Sequence, residues 1–235
     1  MRGVIPWAAG GAAVLALLLA ATPRPADGNA EGSPPGHTGG FGEPTCRACH
    51  FDAPEEPEAG ALIVDGVPAV YRPGAEYAIT VTLRDPRLER SGFQLAARFA
   101  GEETGAGAAG GAEGGRQAGR LLASSPRVEV VAHGDPPVLY ARQTLDGATP
   151  SVRGEASWTV RWLAPPEPAG PVLFHAAANA GNDDDSELGD AVHAATARSE
   201  PPGRGASRTP WAIIELGGHG SRGSPGATRA PAFHQ

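Results

Sequence analysis

Glu76-Tyr77-Ala78-Ile79-Thr80-Val81-Thr82-Leu83-Arg84 alternates apolar and polar side chains along its whole length. Successive side chains of a strand point to opposite faces, so this period of two puts Tyr77, Ile79, Val81 and Leu83 on one face against a core. Ala78, Thr80, Thr82 and Arg84 fall on the other. Trp158, Val160 and Trp162 repeat the pattern, with Glu155, Ser157, Thr159 and Arg161 between and beside them. Working outward, further short runs of this kind lie at 61–65, 92–99, 127–132, 138–144, 156–163, 171–178 and 190–197, with turn residues between them. About eight short strands with no intervening helical periodicity predict an all-β fold, an antiparallel Ig-like sandwich over residues 59–198.

The composition agrees with many turns and few helices: 34 Gly and 24 Pro in 235 residues, with 6% aromatics. The net charge of −7 is spread evenly, and no basic stripe is present, which argues against nucleic acid as a partner. All 19 basic residues are arginine, so lysine is unavailable as a ligand or nucleophile. Two stretches interrupt the strand pattern. Residues 101–119 are nearly all Gly, Ala, Glu and Gln, too polar to bury, and are expected to form a floppy loop. Residues 179–190, Asn-Ala-Gly-Asn-Asp-Asp-Asp-Ser-Glu-Leu-Gly-Asp, crowd oxygen donors that would suit Ca²⁺, although the EF-hand spacing and its terminal bidentate Glu are missing. Asn/Asp/Gly loops of this kind also join strands without any metal.

The only two cysteines stand in Thr45-Cys46-Arg47-Ala48-Cys49-His50. Cys-x-x-Cys-His is the haem-attachment spacing: two thiols one helical turn apart can each add to a haem vinyl group, and the next residue offers an imidazole to the iron. Three other readings stay open. Structural zinc needs four ligands, and with no second Cys pair it would require two further histidines. A thioredoxin-like redox pair expects a βαβ setting, whereas the flanks here are a glycine-rich loop and the proline-broken run 52–58. A Cys46–Cys49 disulfide suits an exported chain.

If haem c is attached, Cys46 and Cys49 form the thioethers and His50 is the proximal ligand. The only methionine is Met1 and lysine is absent, so the sixth ligand is a histidine or the site is open. His37 lies in the glycine loop 36–42 just upstream, where the backbone can fold over a flat ligand. His175 lies on a predicted strand rigid enough to hold an axial ligand. His133, His193, His219 and His234 have weaker claims. No nucleophile with a base, and no paired carboxylates, suggests hydrolytic chemistry.

Residues 1–26 read as an export signal: Met1-Arg2, then an apolar stretch to Ala21, then small residues suited to cleavage. If uncleaved, the same stretch approaches the roughly 18 residues a membrane span needs, and it would be the only expected membrane contact. The remainder is expected outside the cytoplasm, in the periplasm or at the cell surface. Residues 27–58 form a Gly/Pro-rich linker with the cysteine segment, and 199–235 a disordered tail in which only 211–214 could pair with a sheet edge.

The order of motifs, Gly-His-Thr-Gly-Gly-Phe-Gly-Glu (36–43), Thr-Cys-Arg-Ala-Cys-His (45–50), Tyr-Arg-Pro-Gly (71–74), Gly-Phe-Gln-Leu-Ala-Ala-Arg (92–98), the stretch 158–165 and Phe-His-Ala-Ala-Ala-Asn-Ala (174–180), resembles the bacterial choice-of-anchor V domain. That family is a secreted Reelin-domain-like (Reeler) β-sandwich often preceded by a Cys-x-x-Cys-His segment. The resemblance spans about residues 36–198, with Gly-Phe-Gln-Leu and Ala-Ala-Asn-Ala its more specific parts. It implies the sandwich and an extracytoplasmic location, and a C-terminal anchor for which no apolar span is expected here. Two functions follow as expectations. One is an exported monohaem electron carrier with an unidentified redox partner. The other is a non-catalytic binding or adhesion module with a Cys46–Cys49 disulfide and a calcium loop.

Overall fold

The computed structural model of the chain describes residues 29, 31–100 and 115–203. Nine strands form two antiparallel sheets. In chain order they are β1 (Ala61–Asp65), β2 (Glu76–Arg84), β3 (Arg90–Phe99), β4 (Arg120–Ala123), β5 (Val128–His133), β6 (Val138–Gln143), β7 (Glu155–Leu163), β8 (Val172–Gly181) and β9 (Ala191–Ser199). One sheet has the order β1-β2-β7-β4 and the other β5-β6-β3-β8-β9. The expected antiparallel sandwich is therefore the fold.

The alternation of β2 and β7 works as the sequence predicts. Ile79, Val81 and Leu83 face inward beside Val160, Trp158 and Ala156, their register partners. Opposite them, the inner faces of β3 and β8 supply Phe93, Leu95, Phe174 and Ala176. Trp158 stacks on Phe93 with centroids 4.4 Å apart, and Trp162 meets Phe174 edge-on at 4.8 Å. Both are arrangements that aromatic pairs favour over mere contact. Each indole N–H is also satisfied. Trp158 donates to Gly147 O at 3.0 Å, and Trp162 to Ala118 O at 2.9 Å. Gly147 belongs to a one-turn helix, α1 (Leu145–Ala148), capped by Thr144.

Two expectations are corrected. The loop expected across 101–119 ends sooner. Residues 115–119 run along β3, with Ala118 buried and its N–H bonded to Ala97 O at 3.0 Å, because Trp162 needs that backbone carbonyl. β4 then follows directly, in a place read as connection. The strand that closes the domain also runs on. β9 ends at Ser199, and Glu200 exchanges backbone bonds with Ala69 and Tyr71 at 2.9 and 3.0 Å. The export stretch, residues 101–114, the segment at 211–214 and the tail histidines lie outside the described residues.

β3 is buried on both faces, with Gln94, Ala96 and Arg98 of its outer side as enclosed as Phe93 and Leu95 of its inner side. A strand in the middle of a sandwich sheet normally leaves one face to water. Here residues 31–53 lie across that outer face, and this covering segment carries both cysteines.

Candidate functional site

The turn that holds the cysteines is built locally. Thr45 caps a single 3₁₀ turn, Cys46–Ala48, its hydroxyl accepting from Arg47 N. Cys46 O then receives both Cys49 N (3.2 Å) and His50 N (3.0 Å). Cys46, Cys49 and His50 are thereby wound onto one turn, as the spacing predicts. Cys46 is half-buried and Cys49 exposed, and both are free thiols. Burial pushes the Cys46 thiol up to about 12, against a small lowering by its own backbone and a further rise from Cys49. A thiol held protonated at neutral pH is a poor attacking group, the opposite of the depressed value that a thioredoxin-like pair relies on.

Three side-chain clusters moor this turn to the outer face of the five-stranded sheet. In the first, the Glu43 carboxylate accepts from the Thr38 hydroxyl at 2.6 Å and pairs with Arg98 of β3 and the Tyr140 hydroxyl of β6. Phe41 sets its edge against the His175 ring, centroids 5.3 Å apart, and lies under the Arg98 guanidinium. Gly40 passes so near that a Cβ there would stand 2.4 Å from the His175 ring, so only glycine fits.

In the second cluster, Gln94 is fully enclosed and spends its whole amide on the segment. Its Oε1 accepts from His37 N at 2.8 Å, and its Nε2 donates to Ser33 Oγ and Pro34 O, each at 2.7 Å. Arg142 adds a bond to Ser33 O at 2.6 Å.

The third cluster grips His50. Asp190, 2% exposed, brings Oδ2 to 2.6 Å from His50 Nδ1, an ion-pair approach lying off the line of an ideal hydrogen bond. The same carboxylate accepts from Asn179 Nδ2 at 2.9 Å and Asn182 N at 3.2 Å. Two residues after His50, Asp52 accepts from Gly189 N at 2.8 Å. The turn and the Asp-rich loop are thus joined on both sides of the imidazole.

Between turn, loop and sheet lies a cavity of about 510 Å³. Cys46, Cys49, His50 and His37 all line it, with Pro34 as an apolar side chain and Asp183, Asp184, Asp185 and Glu187 on the loop side. The volume falls within the roughly 300–1,000 Å³ of cofactor and small-molecule sites. His37 Nδ1 stands 3.0 Å from Pro34 O. A carbonyl can only accept, so Nδ1 carries the proton and Nε2 keeps its lone pair. His50 Nδ1 lies 2.6 Å from the Asp190 carboxylate, though off the hydrogen-bond line. An imidazole whose Nδ1–H is held by an oxygen is the form in which histidine binds a metal through Nε2. Both thiols and both imidazoles thus line one cavity, which is the donor set a covalently attached haem would use.

The other described histidines lie elsewhere. His175 is outside this cavity, against Gly40 and Phe41, and burial followed by the nearby Arg98 charge lowers its pKa. His193 is buried and holds Asp85 at 3.0 Å, and His133 is exposed. In the Asp-rich loop, Asn182 Oδ1 accepts Asp184 N, Asp184 Oδ1 accepts Ser186 N, and Asp183 pairs with Arg90 at 2.8 Å. These are the side-chain turns that such sequences form without a cation. Among the described residues, no three His, Cys, Asp or Glu side chains converge as a calcium or zinc shell requires.

Sequence reasoning singled out Cys46, Cys49, His50, His37 and His175 but not the residues that hold the turn. Gln94 and Asn179 were visible as the distinctive polar residues of Gly-Phe-Gln-Leu and Ala-Ala-Asn-Ala. Nothing in the sequence tied them to the cysteine turn. Asp190 was one carboxylate among five in the stretch 179–190.

No family model matches the chain, and no curated protein does. Solved structures similar to it include the Reelin-N domain of F-spondin, at 22% identity and a TM-score of 0.40 over 66% of this chain and 96% of that one. The human F-spondin reeler domain is similar at 24% identity and a TM-score of 0.38, over 60% and 91%. A cohesin module from a Clostridium perfringens family 33 glycoside hydrolase stands at 9% identity and 0.39, over 60% and 96%. Similarity at this level bears on the arrangement of strands and on nothing the site does.

Proposed function

We propose that the chain binds one haem c covalently through Cys46 and Cys49, with His50 and His37 as axial ligands, and carries single electrons outside the cytoplasm. The observation that carries this reading is the shared cavity, on which both thiols and both imidazoles stand, with Pro34 O beside His37 Nδ1 and the Asp190 carboxylate beside His50 Nδ1. When bound, the haem would supply a one-electron iron couple, exchanging electrons with protein donors and acceptors of the same compartment.

The chain's own residues do the rest. The Thr45-capped turn presents two thiols and an imidazole together, Gln94 fixes the His37 backbone, and Pro34 lends the wall an apolar side chain. With lysine absent and Met1 the only methionine, a second histidine is the ligand this chain offers at the far face, which favours a low potential and a closed iron. The apolar N-terminal stretch supports export, and export supports thioether attachment, since covalent haem is fixed outside the cytoplasm.

The test is the protein expressed with an export signal in a host that matures c-type cytochromes. A pyridine haemochrome spectrum of c type, and an intact mass raised by one haem, are expected. A colourless protein, or one lighter by two hydrogens from a Cys46–Cys49 disulfide, would overturn the proposal.

A further inference from the structure

We infer that Asp190 is a positioning residue for the proximal ligand, fixing His50 as an Nδ1–H donor and, through it, holding the iron at a lower potential than a carbonyl partner would. The inference rests on the haem reading above and adds a partner that the Cys-x-x-Cys-His motif does not contain.

The geometry points to it in three ways. Asp190 Oδ2 is 2.6 Å from His50 Nδ1, and the carboxylate is almost entirely withdrawn from water. It stands immediately before β9 and is held by Asn179 Nδ2 of β8 and by Asn182 N of the loop, so sheet and loop together set its position. Oδ1 takes the Asn182 N–H, while Oδ2 accepts from Asn179 Nδ2 and also meets the imidazole.

A carboxylate on the far nitrogen makes the imidazole a stronger donor to its metal and locks the ring's tautomer and orientation. Stronger donation and a nearby negative charge both favour the ferric over the ferrous state. Removing the charge therefore raises the potential.

The experiment measures wild type, Asp190→Asn and Asp190→Ala, each matured with haem, by redox titration and haem content. The expected result is equal haem content with a positive shift of midpoint potential, larger for alanine than for asparagine, which keeps an acceptor oxygen. Loaded variants with the wild-type potential overturn the inference and leave the haem reading standing. So does a drop in haem content with the potential of the loaded fraction unchanged, the mark of a merely structural role. A wild type without haem ends both. Should neither variant fold, the reduced, diamagnetic wild type decides by NMR. A His50 Nδ1 proton protected from solvent exchange and close to the Asp190 side chain supports the inference. A freely exchanging one refutes it.

Discussion

Glu43, from the loop that leads into the cysteines, and Arg98, from the outer face of β3, form a buried ion pair that the Tyr140 hydroxyl completes. Their carboxylate and guanidinium join the segment carrying the proposed site to the sheet beneath it. Most of the stability consequences below follow from that joint.

Glu43→Ala leaves Arg98 enclosed without its carboxylate, and removing one partner of a buried pair costs about 3–5 kcal/mol. The expected outcome is lost amide protection across residues 36–45 with protection in β2 and β7 retained, read by hydrogen exchange. Adding Arg98→Met should restore part of the loss, because the stranded charge goes with it. Unchanged protection in the single variant would show that the pair does not hold the segment.

Gly40→Ala puts a methyl group against the His175 ring, and overpacking of this kind costs about 1–3 kcal/mol. The same local loss of protection is expected. In the double variant Gly40→Ala/His175→Ala the ring is gone and much of the protection should return. If the double variant is no better than the single, the clash lies elsewhere.

His175 also sets a pH dependence. Burial, and then the Arg98 charge, lower its pKa from 6.5, so the unfolded chain binds the proton more readily than the folded one. Stability is fully present above 6.5 and falls as pH drops from there toward the lowered folded-state value. Urea midpoints across that window should decline in the wild type and flatten in His175→Gln. Asp85 titrates in a separate range. Burial raises its pKa, but the Arg87 N–H, His193 and the Arg87 side chain outweigh burial and hold it below 3.8. Its contribution is present above 3.8 and is lost only as pH falls further, through the folded-state value.

In the haem-loaded protein, His37→Ala should convert a low-spin ferric spectrum to high-spin and open the reduced iron to carbon monoxide. His175→Ala should leave the spectrum as it is, since His175 is outside the cavity. The reverse pattern would transfer the axial role to His175.

The inner half of the sandwich was legible because β2 and β7 each bury one face, and alternation reports that directly. β4 was not. It has four residues, only Leu121 is fully inward, and the adjacent Leu122 hides the period. The outer half failed for a different reason. Gln94 and Arg98 are polar positions on a strand, and a sequence pattern does not reveal that a distant segment covers them. The site divided in the same manner. The turn 45–50 is a local motif and His37 lies close to it in the chain. Asp190, about 140 residues away in sequence from His50, reaches it only through the register of β8 and β9.

The covering segment is attached to the sandwich by side chains. Among the described residues, the backbone–backbone bonds of 31–53 close within 29–53, as Gly39 to Pro44 and Ala53 to His50 do, and none joins a strand. It can therefore peel away as a unit while both sheets stay intact, a sub-global opening far cheaper than unfolding. If haem is attached as proposed, the enzyme that attaches it would find the thiols on a detached ribbon beside a finished scaffold, with modification first and docking second.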